Sequence, residues 1–268
     1  MSLKTNLALV LIVFIFISTN SIAAEDNKKI HIMTVVIVQQ DNFLQKLLQP
    51  FLSSHGLVAE YTMGHHSEVA QAAGRHEIDL AITHTKVREM QKLEKEGLLM
   101  PRQALFSNPT AFLGPAGDPA HIRGLTDPVA AVKNILDGGF CFIINTHERL
   151  EKLQDDLLPG NVSTRDCIIR DDGNINMTAI DVAFERNGYT MWGLHPYASK
   201  SENRLEPVVM ADERLLQEMS GWVVKGSAVE KEASELLDYL ASKEVKNRIR
   251  NFHLHNYGDI QAWWPASN

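Results

Sequence analysis

Imidazole, amide and aromatic side chains recur where short apolar runs of this chain end. His65 and His66 follow one such run, and His84 closes another. His147 follows Asn145 and Thr146, and His195 follows Trp192. Imidazole donates or accepts hydrogen bonds near neutral pH and is the commonest metal ligand. Nothing here has a metal spacing such as His-Glu-x-x-His. The adjacent His65 and His66 also point to opposite sides of an extended loop. No metal centre and no cofactor is therefore assigned. Gln39, Gln40 and Asn145 bring amides that orient a polar group. Met63, Trp192 and Tyr197 bring contact area, a mix typical of ligand pockets. Against this stands core packing for Met191 and Trp192, and plain exposure for Gln39 and Gln40. Catalytic constellations are absent: no Gly-x-Ser-x-Gly elbow, no P-loop, no dinucleotide fingerprint. A non-enzymatic binding protein is expected. Asp171-Asp172-Gly173-Asn174 lacks the later ligands of a calcium loop and reads as a turn.

Alternating strands and helices must position these groups. Residues 30–38 are rich in β-branched side chains and read as a buried strand. Asp41 can cap the following helix, whose Phe43, Leu44, Leu47, Leu48, Phe51 and Leu52 recur at helical spacing. Pro50 should kink or shorten it. Strands follow at 57–62 and 78–83, with helices at 67–74 and 87–96. The extended run 105–113 is broken by Asn108-Pro109. Gly114-Pro115-Ala116-Gly117-Asp118-Pro119 is the strongest loop signal. Asp127-Pro128 is a clean helix start, and Ser227 with Glu230 has the spacing of a capping box. Later come a strand at 220–224, a helix at 243–252 and the Trp263-Trp264-Pro265 tail. Strands alternating with helices imply parallel α/β sheets. The expected division is residues 25–112 with 208–268 as one lobe and 113–207 as the second.

The first 24 residues resemble a secretory leader. Lys4 precedes the apolar run 7–17, and small residues Ser21-Ile22-Ala23-Ala24 suit cleavage. That run is shorter than the ~20 residues a membrane span needs. A periplasmic protein released from its signal peptide is expected. Formal net charge is −7, without runs of like charge, so nucleic acid is not an expected partner. A monomer is expected. Cys141 and Cys167 flank a helical pattern and sit beside two β-like runs. They form a disulfide if the fold brings their Cα atoms within about 7 Å, and otherwise are two small buried hydrophobes.

Several segments, in order, carry a family resemblance. They are Met63-Gly64-His65-His66-Ser67-Glu68-Val69-Ala70, Ile78-Asp79-Leu80-Ala81-Ile82-Thr83-His84, Phe112-Leu113-Gly114-Pro115, Asp118-Pro119-Ala120, Asn145-Thr146-His147 and Gly188-Tyr189-Thr190-Met191. From about residue 30 to 264 the chain resembles periplasmic solute-binding proteins of the tungstate-binding type, which serve ABC transporters. The resemblance implies a bilobed, type II-like α/β fold. Two parallel or mixed-sheet lobes would enclose a central cleft, which captures a small molecule for an inner-membrane transporter.

The ligand loops differ from that family. Val38-Gln39-Gln40-Asp41 stands where the family has Thr-Thr-Ser, and Ile143-Ile144 where its arginine lies. Trp192-Gly193-Leu194-His195-Pro196-Tyr197 lacks the family's Asp-Arg pair. A buried dianion needs charge-assisted donors. The expected ligand is therefore an uncharged or amphipathic organic molecule. It would be held by Gln39, Gln40, Met63, His65, His66, His84, Asn145, Thr146, His147, Trp192, His195 and Tyr197. The alternatives are a tungstate- or molybdate-like oxyanion, or a sensory module reporting to a membrane receptor, or a metal-binding module on the same fold.

Overall fold

The computed structural model describes residues 28–146, 148–160, 167–171, 178–199, 204–210, 212–254 and 260–266. The leader, His147, the turn at 172–174 and His255 lie outside the described residues. Strand β1 (Lys28–Val35) pairs in parallel with β2 (Leu57–Gly64) and β3 (Leu80–His84). Between β1 and β2 run α1 (Val36–Gln39), a 3-10 turn (Gln40–Asn42) and α2 (Phe43–Ser54). The expected strand 30–38 thus stops at Val35 and coils into α1, a correction that β-branched composition alone does not signal. Asp41 does not cap α2, because Asn42 holds that position and no side-chain cap bond forms. Pro50 does not shorten α2. An interior proline costs ~3 kcal/mol or more. Burying Phe51 and Leu52 beyond it returns roughly 1.5–3 kcal/mol each, enough to carry the helix through.

Helices α3 (His66–Gly74) and α4 (Arg88–Lys95) lead to β4 (Gln103–Gly114), which runs unbroken through Pro109. Proline is tolerated there for a local reason. On one side Pro109 faces Leu216 in the antiparallel partner strand. On the other it falls in the gap between two short partners, one ending at Ser107 and one starting at Thr110. No ladder bond needs its missing N–H.

Beyond β4 come α5 (Pro128–Asp137), β5 (Phe142–Ile144), α6 (Glu148–Asp156), β6 (Ile168–Arg170), α7 (Thr178–Glu185), β7 (Thr190–Gly193), α8 (Leu194–Ala198) and β8 (Glu206–Val208). The Asp127 carboxylate accepts the Val129 N–H with Pro128 first in α5, as its sequence predicts. The chain closes with β9 (Leu216–Val223), α9 (Glu230–Leu240), α10 (Lys243–Arg250), β10 (His253–Leu254), β11 (Ile260–Gln261) and β12 (Trp264–Pro265).

The largest sheet has the order β12-β4-β9-β3-β1-β2, and β7 and β8 also pair with β4. Three buried clusters divide around it. The first packs α2, α3, α9 and the tail on β1–β3, where Phe43 stacks on Trp263 at 4.6 Å. The second and third pack around Phe112 and Tyr189, and around Ala111 and Tyr197. β4 supplies residues to all three clusters, so it and its partner β9 form the crossing between them. Val208, Met210 and Leu215 pack in the second cluster. β5 and β6 pair in parallel, and a disulfide joins Cys141 to Cys167 with Cα atoms 4.5 Å apart.

Candidate functional site

In parallel α/β sheets, ligands bind beyond the carboxyl ends of the strands. Two such ends meet here. Asp41 follows β1 and α1, and His195 and Ser199 follow β7. The Asp41 carboxylate accepts from His195 Nε2 at 2.9 Å and from Ser199 Oγ at 2.6 Å. That contact joins the segment after β1 to the segment after β7.

Burial pushes the Asp41 carboxyl up, but hydrogen bonds from Ser199 and His195, with the charges of His195 and Lys46, hold it below its ordinary 3.8. The His195 ring is fully buried and meets Trp263 edge-on at 5.3 Å. Burial drives its pKa below 6.5, against the pull of Asp41 and the Ile37 backbone. His195 is thus a buried residue at this junction.

On the β2 side, His65 caps α3 and His66 opens it, and their rings lie 3.8 Å apart; the expected divergence fails because the chain turns into a helix here and is not extended. The Glu68 carboxylate accepts the His65 N–H at 2.6 Å, and His65 Nδ1 meets the Ser67 hydroxyl at 3.1 Å. Met63, at 57% exposure, lies on edge strand β2 and borders a shallow hollow of about 420 Å³ with Met33, Gln71 and Arg75. His84 ends β3, half-buried, and Lys86 beyond it is exposed. Gln39 ends α1 and its side-chain oxygen accepts from the Gln45 amide.

Beyond β5, Asn145 is buried. Its backbone N–H and carbonyl are both met by Gln154, at 3.3 and 3.1 Å. The Thr146 N–H donates to Asp171 at 3.0 Å, and its hydroxyl donates to the same oxygen. α6 begins two residues later, so its N-terminus lies on this side. Aromatic groups behave differently from expectation. Tyr197 is fully buried; its hydroxyl donates to the Leu205 carbonyl at 2.7 Å and accepts the Leu205 N–H at 3.0 Å. Met191 is fully buried, and Trp192 packs half-buried on the third cluster. The aromatic wall on which an organic ligand would depend is thus committed largely to core packing.

Asp41, Ser199, Glu68, Asp171 and Lys86 were not picked out as site residues by sequence. Two had a signal: Asp41 ends the segment that stands where the family has Thr-Thr-Ser, and Ser199 lies four residues after His195, the spacing that shares one helix face. Among the described residues no group of three His, Cys, Asp or Glu side chains is arranged to hold a metal.

No family model and no curated protein matches the sequence. Solved structures do match. The tungstate-binding protein TupA from Desulfovibrio alaskensis G20 superposes with a TM-score of 0.74 at 19% identity, covering 90% of this chain and all of its own (100%). The chain has the fold of this tungstate-binding protein. A tungstate ABC transporter structure from Geobacter sulfurreducens gives 0.59 at 19% identity, covering 81% of this chain and 95% of that one. The CcmR regulatory domain of Synechocystis PCC6803, in complex with 2-PG, gives 0.52 at 14% identity, with 80% and 95% covered. The type II-like architecture expected from the sequence is therefore present, and its known users include both transport and regulatory proteins.

Proposed function

We propose that this chain is an exported, periplasmic solute-binding protein that captures a small tetrahedral oxyanion of the tungstate or molybdate class for an ABC transporter. Its lobes would be residues 25–112 with the returning C-terminal segment, and the intervening segment from 113. The observation that carries the oxyanion over the organic ligand is the division of side chains at the cleft. Tyr197 and Met191 are spent on core, whereas N–H, hydroxyl, amide and imidazole donors gather at the strand ends. Helices α3 and α6 begin there, and helix N-termini favour anions by roughly 0.3–1 kcal/mol when exposed and up to ~2 kcal/mol when partly buried. Two helix ends do not replace a guanidinium fork. Lys86, exposed beyond the carboxyl end of β3, supplies the missing cation in this reading. Glu68 and Asp171 hold donors in the solute-free state and give them up to the incoming anion.

Calorimetry on the mature chain tests this. Tungstate should bind one to one with molybdate competing, and Lys86→Gln should weaken it about tenfold, the worth of one charge-assisted hydrogen bond. Absence of heat with either anion, with a bound organic molecule seen by native mass spectrometry, would reject the oxyanion. Full affinity in Lys86→Gln would reject the role given to that lysine.

A further inference from the structure

The segment that links β1 to α2 has an unusual backbone. Asp41 and Asn42 are consecutive and both left-handed, with φ of 54° and 55°. Asp and Asn enter that region more readily than other non-glycine residues, but as single positions; two in succession persist only where surroundings hold them. α1 lacks a side-chain cap and α2 lacks one too. Buried Val38 and Phe43 and the Gln39–Gln45 side-chain bond anchor the segment on either side. At the left-handed pair itself the hold is the Asp41 carboxylate, which receives Nε2 of a fully buried imidazole and the hydroxyl of Ser199. His195 cannot follow Asp41 if the segment moves. Its ring is wedged edge-on against Trp263 and Phe252, and neighbouring Leu194 and Tyr197 are buried in the third cluster. A rigid donor pair therefore grips a strained segment across the junction.

We propose that Asp41, His195 and Ser199 form a positioning clasp that fixes residues 36–42 as one wall of the cleft and thereby sets solute affinity without touching the solute. This rests on the cleft assigned under the proposed function. Loss of the carboxylate frees the left-handed turn to relax, and the wall loses its preorganised shape. The three are positioning residues in this proposal: His195 and Ser199 both donate to the one Asp41 oxygen Oδ2 and act on the cleft through the backbone that carries Asp41.

The test uses the mature chain and two readouts. Amide hydrogen exchange of residues 36–42 is measured without solute, and tungstate affinity by calorimetry. Asp41→Ala should speed exchange in that segment about tenfold or more, as expected for lost charge-assisted hydrogen bonds, and weaken tungstate by a similar factor. Asp41→Asn keeps an acceptor oxygen and should restore most of the protection. Asp41 itself is 31% exposed, and the buried His195 Nε2 that Asp41→Ala leaves without its acceptor is matched again in Asp41→Asn. Unchanged exchange at 36–42 in Asp41→Ala, or a uniform rise across the chain that Asp41→Asn fails to rescue, overturns the clasp. Faster local exchange with unaltered tungstate affinity overturns its role in binding. A wild-type chain that ignores tungstate refutes the proposed oxyanion instead, and the exchange result still judges the clasp.

Discussion

Asp41 and His195 carry opposite burdens in one contact. His195 loses hydration on folding, so the folded imidazole resists a proton that the unfolded one takes near its ordinary 6.5. The unfolded state then binds more protons, and stability rises with pH through this window. As pH falls below 6.5 the folded chain should lose stability, until the folded imidazole also titrates. Asp41 adds a second loss at lower pH: its folded pKa lies below 3.8, so its contribution is present above that value and lost as pH falls through the folded one. Urea unfolding across this range, on wild type and His195→Gln, checks the first claim. The variant should show a flatter slope below 6.5; an identical slope would mean another group is responsible. Neither role was legible in the residue string. A histidine or tyrosine placed after a strand reads the same whether it faces a cleft or the core. Tyr197 is core because its hydroxyl finds both backbone groups of Leu205, a pairing set by tertiary structure and invisible to local pattern.

At the scale of elements, the helices were easier to read than the strand ends. Asp127-Pro128 and the apolar face of α2 are local signals, and both formed as expected. The stop of β1 at Val35 and the passage of β4 through Pro109 depend on which strands lie alongside, information no local window holds. β5 and β6 are only three residues each, shorter than strands that stand alone. The Cys141–Cys167 bridge joins them at their starts across a sequence separation of 26. Such a closure contributes roughly 3–4 kcal/mol in the chain-entropy model. Reduction, or replacing both cysteines by serine, should lower the denaturation midpoint and loosen the Thr146–Asp171 contact that closes the same loop region. Exchange at Thr146 rises if this is correct; an unaltered midpoint in the double serine variant would show that packing alone holds the pair. Gly188 belongs to the same unit, since a Cβ there would lie 2.6 Å from the Cys141 carbonyl oxygen.

The whole molecule was legible where many weak signals agreed. Strand and helix alternation specifies an α/β protein, and a mixed α/β fold matching type II-like binding proteins is observed. The Gly-Pro loop after β4 and the late return of the chain are the signals behind the proposed division into lobes. The solute was less legible, because ligand loops that depart from a family's pattern say what is missing more clearly than what replaces it. Capture requires that the solute favour one arrangement of the lobes, since only differential affinity shifts a conformational equilibrium. β4 and β9 form the crossing about which such a movement would turn. Small-angle scattering of the mature chain, titrated with tungstate to saturation, tests the central claim most directly. The account predicts that the radius of gyration falls and levels off at one equivalent. A radius unchanged at saturation, with binding verified in the same sample, would contradict it.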